Sequence, residues 1–322
     1  MSDFSIFAPV ADELNKVETF LQEEPYSHLQ LLQESSLHLI KAGGKRMRPA
    51  FALIAARFYR DDLEDVIPLA VALELLHLAS LVHDDVIDNS TTRRGTSTVK
   101  SHWGNRVSIY TGNYLYARSI SLLLEYLRSD VIKVLAEASM KICEGEIIQM
   151  MSCYNTTLGL KNYLRRIERK TALLISVSCQ LGSMLCEAPL NQITAHRRYG
   201  YYLGMAFQIT DDILDLVADE KVLGKPTGSD IKQGVITLPA LYAIKNGPYG
   251  HELGRLMSSP EHCRRDTDKI IDMIMESEGI DFAYDFARQY AEKARRQLNY
   301  LPDCPVREAY FQMAEFITDR DF

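Results

Sequence analysis

VIPLAVALELLHLASLV at 66–82 runs without a break into HDDVID at 83–88. Its apolar run is interrupted by Glu74 and His77, and it falls short of the roughly 20 apolar residues of a membrane span. It therefore reads as a helix of a soluble protein, buried nearly all round. Outward from it, no proline occurs between Pro68 and Pro189, and apolar residues recur at three and four rather than two, the period of long helices. An all-α protein is expected.

Three carboxylates close that helix, in a stretch from Asp61 to Thr92 that contains no Lys or Arg. At about 100° per residue, Asp84 and Asp88 project about 40° apart with Asp85 beside them, so they repel unless protons or cations neutralise them. YYLGMAFQITDDILD at 201–215 repeats the arrangement: Asp211, Asp212 and Asp215 follow an apolar run, Asp211 and Asp215 share a face, and no basic residue lies between Arg198 and Lys221. One such set alone reads as a solvated helix end. Two sets on apolar helices read instead as hard oxygen ligands for Mg²⁺, which is held by one or two carboxylates together with substrate phosphates.

A phosphorylated ligand also needs donors. GGKRMRP at 43–49 offers a flexible turn with three cations, RRG at 93–95 follows the first acidic set, and GKPTG at 224–228 follows the second. Arg grips phosphate through paired hydrogen bonds and Lys as a point charge. A single basic cluster reads as a surface turn, whereas three in register with two acidic sets read as a binding system. His77 lies about 20° from Asp84 in projection, and that spacing suits a core histidine and a ligand equally.

Composition narrows the remaining classes. The 322 residues are 47% hydrophobic and 25% charged with 17 Gly and 11 Pro, the balance of a chain that buries a large core. Lys+Arg 36 against Asp+Glu 43 gives a net charge of -7, so no overall positive field gathers nucleic acid or an anionic membrane, and an anionic substrate calls for a local basic pocket. Cys143, Cys153, Cys179, Cys186, Cys263 and Cys304 contain no C-x-x-C pair. They fit buried free thiols in a reducing cytosol. The acidic start, with Asp3, Asp12 and Glu13, is unlike a secretory signal. A cytoplasmic protein without a transmembrane segment is expected, with transient membrane association for product release.

Helix breaks are expected at 42–44, 89–98, 155–160, 224–234 and 247–250, none of them like an interdomain linker. A single helical domain over 1–322 follows.

Together these residues resemble the trans-prenyltransferases of the polyprenyl synthetase family, from roughly Leu37 to Asn246. Five motifs appear in order: Gly43 to Pro49, His83 to Asp88 with Arg93-Arg94-Gly95, Lys170-Thr171, Phe207 to Asp215, and Gly224-Lys225-Pro226. The resemblance implies an all-α barrel around a deep apolar cavity, the isoprenoid synthase fold. It implies catalytic roles for Asp84, Asp85, Asp88, Lys170, Asp211 and Asp212, with two or three Mg²⁺ ions carried by Asp84, Asp88 and Asp211. Arg93, Lys170, Thr171, Gln208 and Lys225 would bind the allylic diphosphate. Lys45, Arg48, His77 and Arg94 would hold the diphosphate of isopentenyl diphosphate.

By the same resemblance, Ala79 and Ser80 lie one turn below Asp84, where short-chain members carry an aromatic floor. Small residues there leave the cavity open, and Leu76 and Leu73 come next. Tyr163 to Ile167, Cys179 to Gly182 and Tyr201-Tyr202 resemble the large component of the heptaprenyl branch, which serves menaquinone side chains and works with a small second subunit, component I. A heterodimer is implied, with a homodimeric synthase of another chain length as the alternative. A terpene cyclase would not need a separate isopentenyl diphosphate site. A non-catalytic partner subunit would have no use for paired metal sites, and an HD-type phosphohydrolase would need more histidine ligands than eight scattered His provide.

Overall fold

The computed structural model describes residues 4–124, 128–217 and 227–318, and it is all-α, as expected. In chain order the first helices are α1 (Ala11–Glu23), α2 (Gln30–Lys41), α3 (Met47–Arg57), α4 (Ile67–Ile87), α5 (Val99–Leu124) and α6 (Ser129–Ser152). They are followed by α7 (Leu160–Ile167), α8 (Leu173–Leu185), α9 (Leu190–Val217) and α10 (Ser229–Lys232), then by further helices to Thr318. Among the described residues the only sheet is a hairpin between α4 and α5. Thr92–Arg93 (β1) pairs antiparallel with Thr96–Ser97 (β2), Arg93 opposite Thr96.

The proline-free stretch does yield long helices: α4, α5 and α6 have 21, 26 and 24 residues. The breaks at 42–44, 89–98, 155–160 and 247–250 are all present. The break at 224–234 lies partly outside the described residues. A kink at Gly104 (φ +82°) inside α5 was not anticipated. Joined to the short turn before it, α4 forms a segment, Glu64–Ile87, that is long and apolar enough to cross a membrane, with mean hydropathy 1.8, yet 78% of that window is buried. It is a core helix, longer than its apolar letters alone suggest.

Contacts divide the chain into two units, each assembled from separate stretches. The first comprises Met1–Ala136, Val177–Arg197 and Pro302–Ala309. Its centre is α4, apolar on every side as a fully surrounded helix must be: Leu69, Val71, Leu73, Leu75 and Leu78 are completely buried, as are Leu53 to Ala56 of α3. Gly182 of α8 lies against the Ala52 carbonyl, where any side chain would collide. Ser119 of α5 donates to the Ala72 carbonyl at 2.7 Å. Tyr59 and buried His196 share a hydrogen bond of 3.0 Å, and burial pushes the imidazole down to about 3, so it is neutral.

The second unit comprises Glu137–Ser176, Arg198–Leu301 and Tyr310–Phe322. Leu216, Ile231, Ile236, Ala240, Leu253, Met257 and Ile270 form its core. Tyr199 stacks on Tyr310 at 3.9 Å and donates to its carbonyl. Gly204 of α9 rests on Ala172. All six cysteines are free, but only Cys179, Cys186 and Cys263 are buried; Cys143 is exposed, against expectation.

Candidate active site

Each unit carries one acidic set, and the first also carries the basic loops at 43–49 and 93–95. After α2, Gly43 (φ +73°) and Gly44 (φ +152°) turn the chain, and Arg46 enters α3 in a left-handed conformation (φ +46°). Arg46 does not face a ligand. It is 8% exposed, with Nε and Nη2 on Glu18 at 2.8 and 3.1 Å, Nη1 on Glu74 at 3.1 Å and Nη2 also on the Ile40 carbonyl at 2.9 Å. Burial alone would pull this guanidinium down, but Glu18 and Glu74 more than offset it. Arg46 thus ties α1, α2 and α4 to the loop.

Lys45 is exposed and Arg48 half-buried, and Arg48 Nε is buried without a hydrogen-bond partner among the described residues. An unmatched buried donor costs about 1–3 kcal/mol, which a bound phosphate oxygen removes. The guanidinium of Arg94 lies directly over Gly44, in space a Cβ would occupy. His77 is near both: burial first, then the charges of Arg48, Arg94, Arg93 and Arg46, hold its pKa well below the usual value. The His77 imidazole is therefore neutral at pH 7. Glu74, 1% exposed, is the anion beneath the group and acts electrostatically on both Arg48 and Arg94. The structure thus gathers Arg48, His77 and Arg94 into one cluster.

Two turns farther along α4 the charge reverses. Asp84 is half-buried, Asp85 buried and Asp88 exposed, at the helix end where the macrodipole is itself negative. The run from Asp61 to Thr92 holds no cation, and Arg93, just beyond it, reaches back from β1 and places Nε and Nη2 each 2.8 Å from Asp85 Oδ1. Burial raises the Asp85 pKa and Arg93 opposes that rise. His83 turns away from the acids and packs against Gly112 of α5.

In the second unit Asp211 is half-buried and makes no hydrogen bond or ion pair among the described residues. Asp212 is 4% exposed and accepts from Tyr163 at 2.9 Å and Gln208 Nε2 at 2.8 Å. Burial pushes its carboxyl up, against the pull of Arg166, Gln208 and Tyr163. Asp215 shares a helix face with Asp211, as expected, but is 1% exposed and engaged elsewhere: Ser229 Oγ bonds it at 2.6 Å and the Asp230 N–H at 3.0 Å. It holds the start of α10.

Lys170 and Thr171 sit on a π-helical turn, Glu168–Ala172, between α7 and α8; such turns recur where a helix must aim side chains at a site. Lys170 donates to Gln149 at 3.2 Å and Thr171 to Gln208. Gln149, Tyr163 and Arg166, none of them singled out from sequence as site residues, complete this surface. Lys225 lies outside the described residues. Ala79, at 2% exposure, and Leu76, at 6%, are buried in α4, and half-buried Ser80 turns its hydroxyl back onto the His77 carbonyl at 2.8 Å.

Among the described residues no three His, Cys, Asp or Glu side chains converge into a complete metal cage. The donor set fits Mg²⁺, which takes one or two carboxylates and completes its shell with phosphate oxygens and water. Within their own units, Asp85, Asp212 and Asp215 are already hydrogen-bonded.

The polyprenyl synthetase family model matches residues 29–274. The chain belongs to that family. It is a trans-prenyltransferase with the all-α isoprenoid synthase fold. A relative named heptaprenyl diphosphate synthase component 2, from Geobacillus stearothermophilus, is 43% identical over 318 residues, 99% of each chain. The crystal structure of heptaprenyl diphosphate synthase from Staphylococcus aureus is 36% identical with TM-score 0.91, covering 97% of this chain and 98% of that one. A polyprenyl synthase from Caulobacter crescentus, solved with calcium and isoprenyl diphosphate, is 34% identical with TM-score 0.93, covering 98% and 97%.

Proposed function

We propose that the chain is the large subunit of a Mg²⁺-dependent, cytoplasmic heptaprenyl diphosphate synthase. It condenses isopentenyl diphosphate with an allylic diphosphate, farnesyl diphosphate being the starter, to make an all-trans product for a menaquinone side chain, with a small component I as partner and 1–322 acting as one domain. The observation that carries this is the segregation of charge along α4. Two turns before Asp84, His77 stands with Arg48 and Arg94, a grip of bare donors; at the end of the same helix stand carboxylates that need a cation. Two different grips suit two diphosphates, which a cyclase acting on one diphosphate would not require.

Lys45, Arg48, Arg94 and neutral His77 hold isopentenyl diphosphate. Arg93, Lys170, Thr171, Gln208 and Lys225 donate to the allylic diphosphate. Two or three Mg²⁺ ions on Asp84, Asp88 and Asp211, when bound, stabilise charge on the leaving diphosphate. The allylic C–O bond breaks, the isopentenyl double bond forms the new C–C bond, and the departing diphosphate takes the proton lost from the condensed product. Gln149 steadies the Lys170 ammonium.

Incubating the chain with labelled isopentenyl and farnesyl diphosphates, with and without the candidate small subunit, and sizing the products tests this directly. Heptaprenyl diphosphate formed only with the second subunit is expected; full synthesis by the isolated chain would favour a self-sufficient homodimer. Arg48→Ala should raise the KM for isopentenyl diphosphate and spare that for the allylic substrate. Ala79→Tyr adds a ring to a closely packed wall, and products should stop at farnesyl or geranylgeranyl length. The parent chain length from that variant would show that the tail takes another route.

A further inference from the structure

The hairpin that presents Arg93 and Arg94 is too small to hold itself. It has two paired residues on each strand, and a two-stranded ribbon is marginal even when longer. Its turn is Arg94-Gly95, with φ +52° and +76°. A left-handed pair suits a tight hairpin, but Arg pays a steric penalty there that Asn or Gly largely avoids. Something outside the hairpin must fix it.

On the β1 side the anchor is the Arg93–Asp85 ion pair, joined by Ser101 of α5, whose Oγ donates to the Thr91 carbonyl at 2.8 Å. On the β2 side it is His38: its Nε2 lies 2.7 Å from the Ser97 carbonyl and, because a carbonyl only accepts, carries the proton. The imidazole is itself braced by the first turn of α5, with Trp103 edge-on at 5.3 Å and His102 stacked at 5.8 Å. His38 lies on the last turns of α2, the helix that runs into Gly43 and Gly44. One helix thus delivers Gly44 beneath the Arg94 guanidinium and a hydrogen bond to the strand just past that arginine's turn.

We propose that His38 is a positioning residue for the isopentenyl diphosphate grip: its hydrogen bond to Ser97 fixes the hairpin on α2 and so holds Arg94 over Gly44. The proposal rests on the role given to Arg94 above. It assigns a function to a histidine that touches neither substrate nor metal.

The test uses three variants of the full chain with its small subunit. His38→Phe keeps the ring contacts and removes the donor, His38→Gln restores an amide donor of similar reach, and Arg94→Ala serves as the reference. Trypsin cleavage after Arg93 or Arg94 in the ligand-free protein reports how firmly the hairpin is held, whatever its function. His38→Phe should be cut faster and should raise the KM for isopentenyl diphosphate roughly five-fold, the scale of one exposed hydrogen bond. Its kcat should change little, and His38→Gln should recover most of both losses. Parent-like cleavage and KM in His38→Phe would overturn the proposal. So would faster cleavage with an unchanged KM, if Arg94→Ala raises that KM. An unchanged KM in Arg94→Ala itself would instead overturn the role given to Arg94, and with it the consequence drawn for His38.

Discussion

The two acidic segments carry the same letters, D-D-x-x-D, and the same place at the C-terminal end of an apolar helix, yet they keep different carboxylates for use. In the first, the middle acid, Asp85, is held by a cation, Arg93, and the last, Asp88, stays exposed. In the second, the middle acid, Asp212, is held by neutral donors, Tyr163 and Gln208, and the last, Asp215, is buried in the start of α10. The first set therefore leaves its last carboxylate, Asp88, in solvent, and the second leaves its first, Asp211, half-buried without a hydrogen bond or ion pair among the described residues. A repeated motif is not a repeated site, because what each oxygen can bind depends on which donors have already reached it.

The largest effect should come from the acids shared by both readings of the motif. Asp84→Ala and Asp211→Ala should each lower kcat by at least about 100-fold, the scale of a lost electrostatic stabiliser, with the fold retained. Near-normal rates in both would remove the metal assignment. The sharpest contrast lies at the last position. Asp88→Ala should reduce turnover by about ten-fold or more, the scale of one lost transition-state contact, while leaving the melting temperature near that of the parent. Asp215→Ala should instead lower thermal stability by about 1–2 kcal/mol, the scale of a lost helix cap, because two donors at Ser229 and Asp230 lose their acceptor. Equal behaviour of these two variants would erase the asymmetry. The smallest effect should appear at the middle position. Asp85→Asn should loosen Arg93 and raise the KM for the allylic substrate a few-fold, whereas Asp212→Asn, whose amide oxygen still accepts from Tyr163, should do less. Steady-state titration of each substrate in the two variants measures the difference.

Much of this site is written locally. The i, i+4 placement of Asp84 and Asp88 and the turn at Gly43-Gly44 follow from helical geometry and from residues a few positions apart. Glu74 is the counter-example. Counted along the chain it belongs to a run of acids without a cation, but in space it meets Arg46, 28 positions away, which in turn meets Glu18, another 28 away. Charge counting cannot see such a pair. Tyr163 and Gln149 escape it for another reason: they carry no charge, and their importance comes only from the buried carboxylate and ammonium they face. The capture of Asp215 by α10 is equally unreadable from helical projection, which gives the face of a side chain but not the loop that returns to it. His77, ambiguous by spacing, keeps company in space with Arg48 and Arg94, which its sequence neighbours do not reveal.

The composition of α4 has a consequence for the chain during its synthesis. A segment with mean hydropathy 1.8 and the length of a bilayer span leaves the ribosome well before Val177–Arg197, which belongs to the same unit, has been made. Until then its leucines have no permanent neighbours, and a lipid bilayer would accept them as readily as a protein core. Asp84, Asp85 and Asp88 lie at the trailing edge of that segment, where charge is costly to bury in lipid. The three acids thus set the C-terminal limit of that apolar stretch in the nascent chain as they do in the folded one.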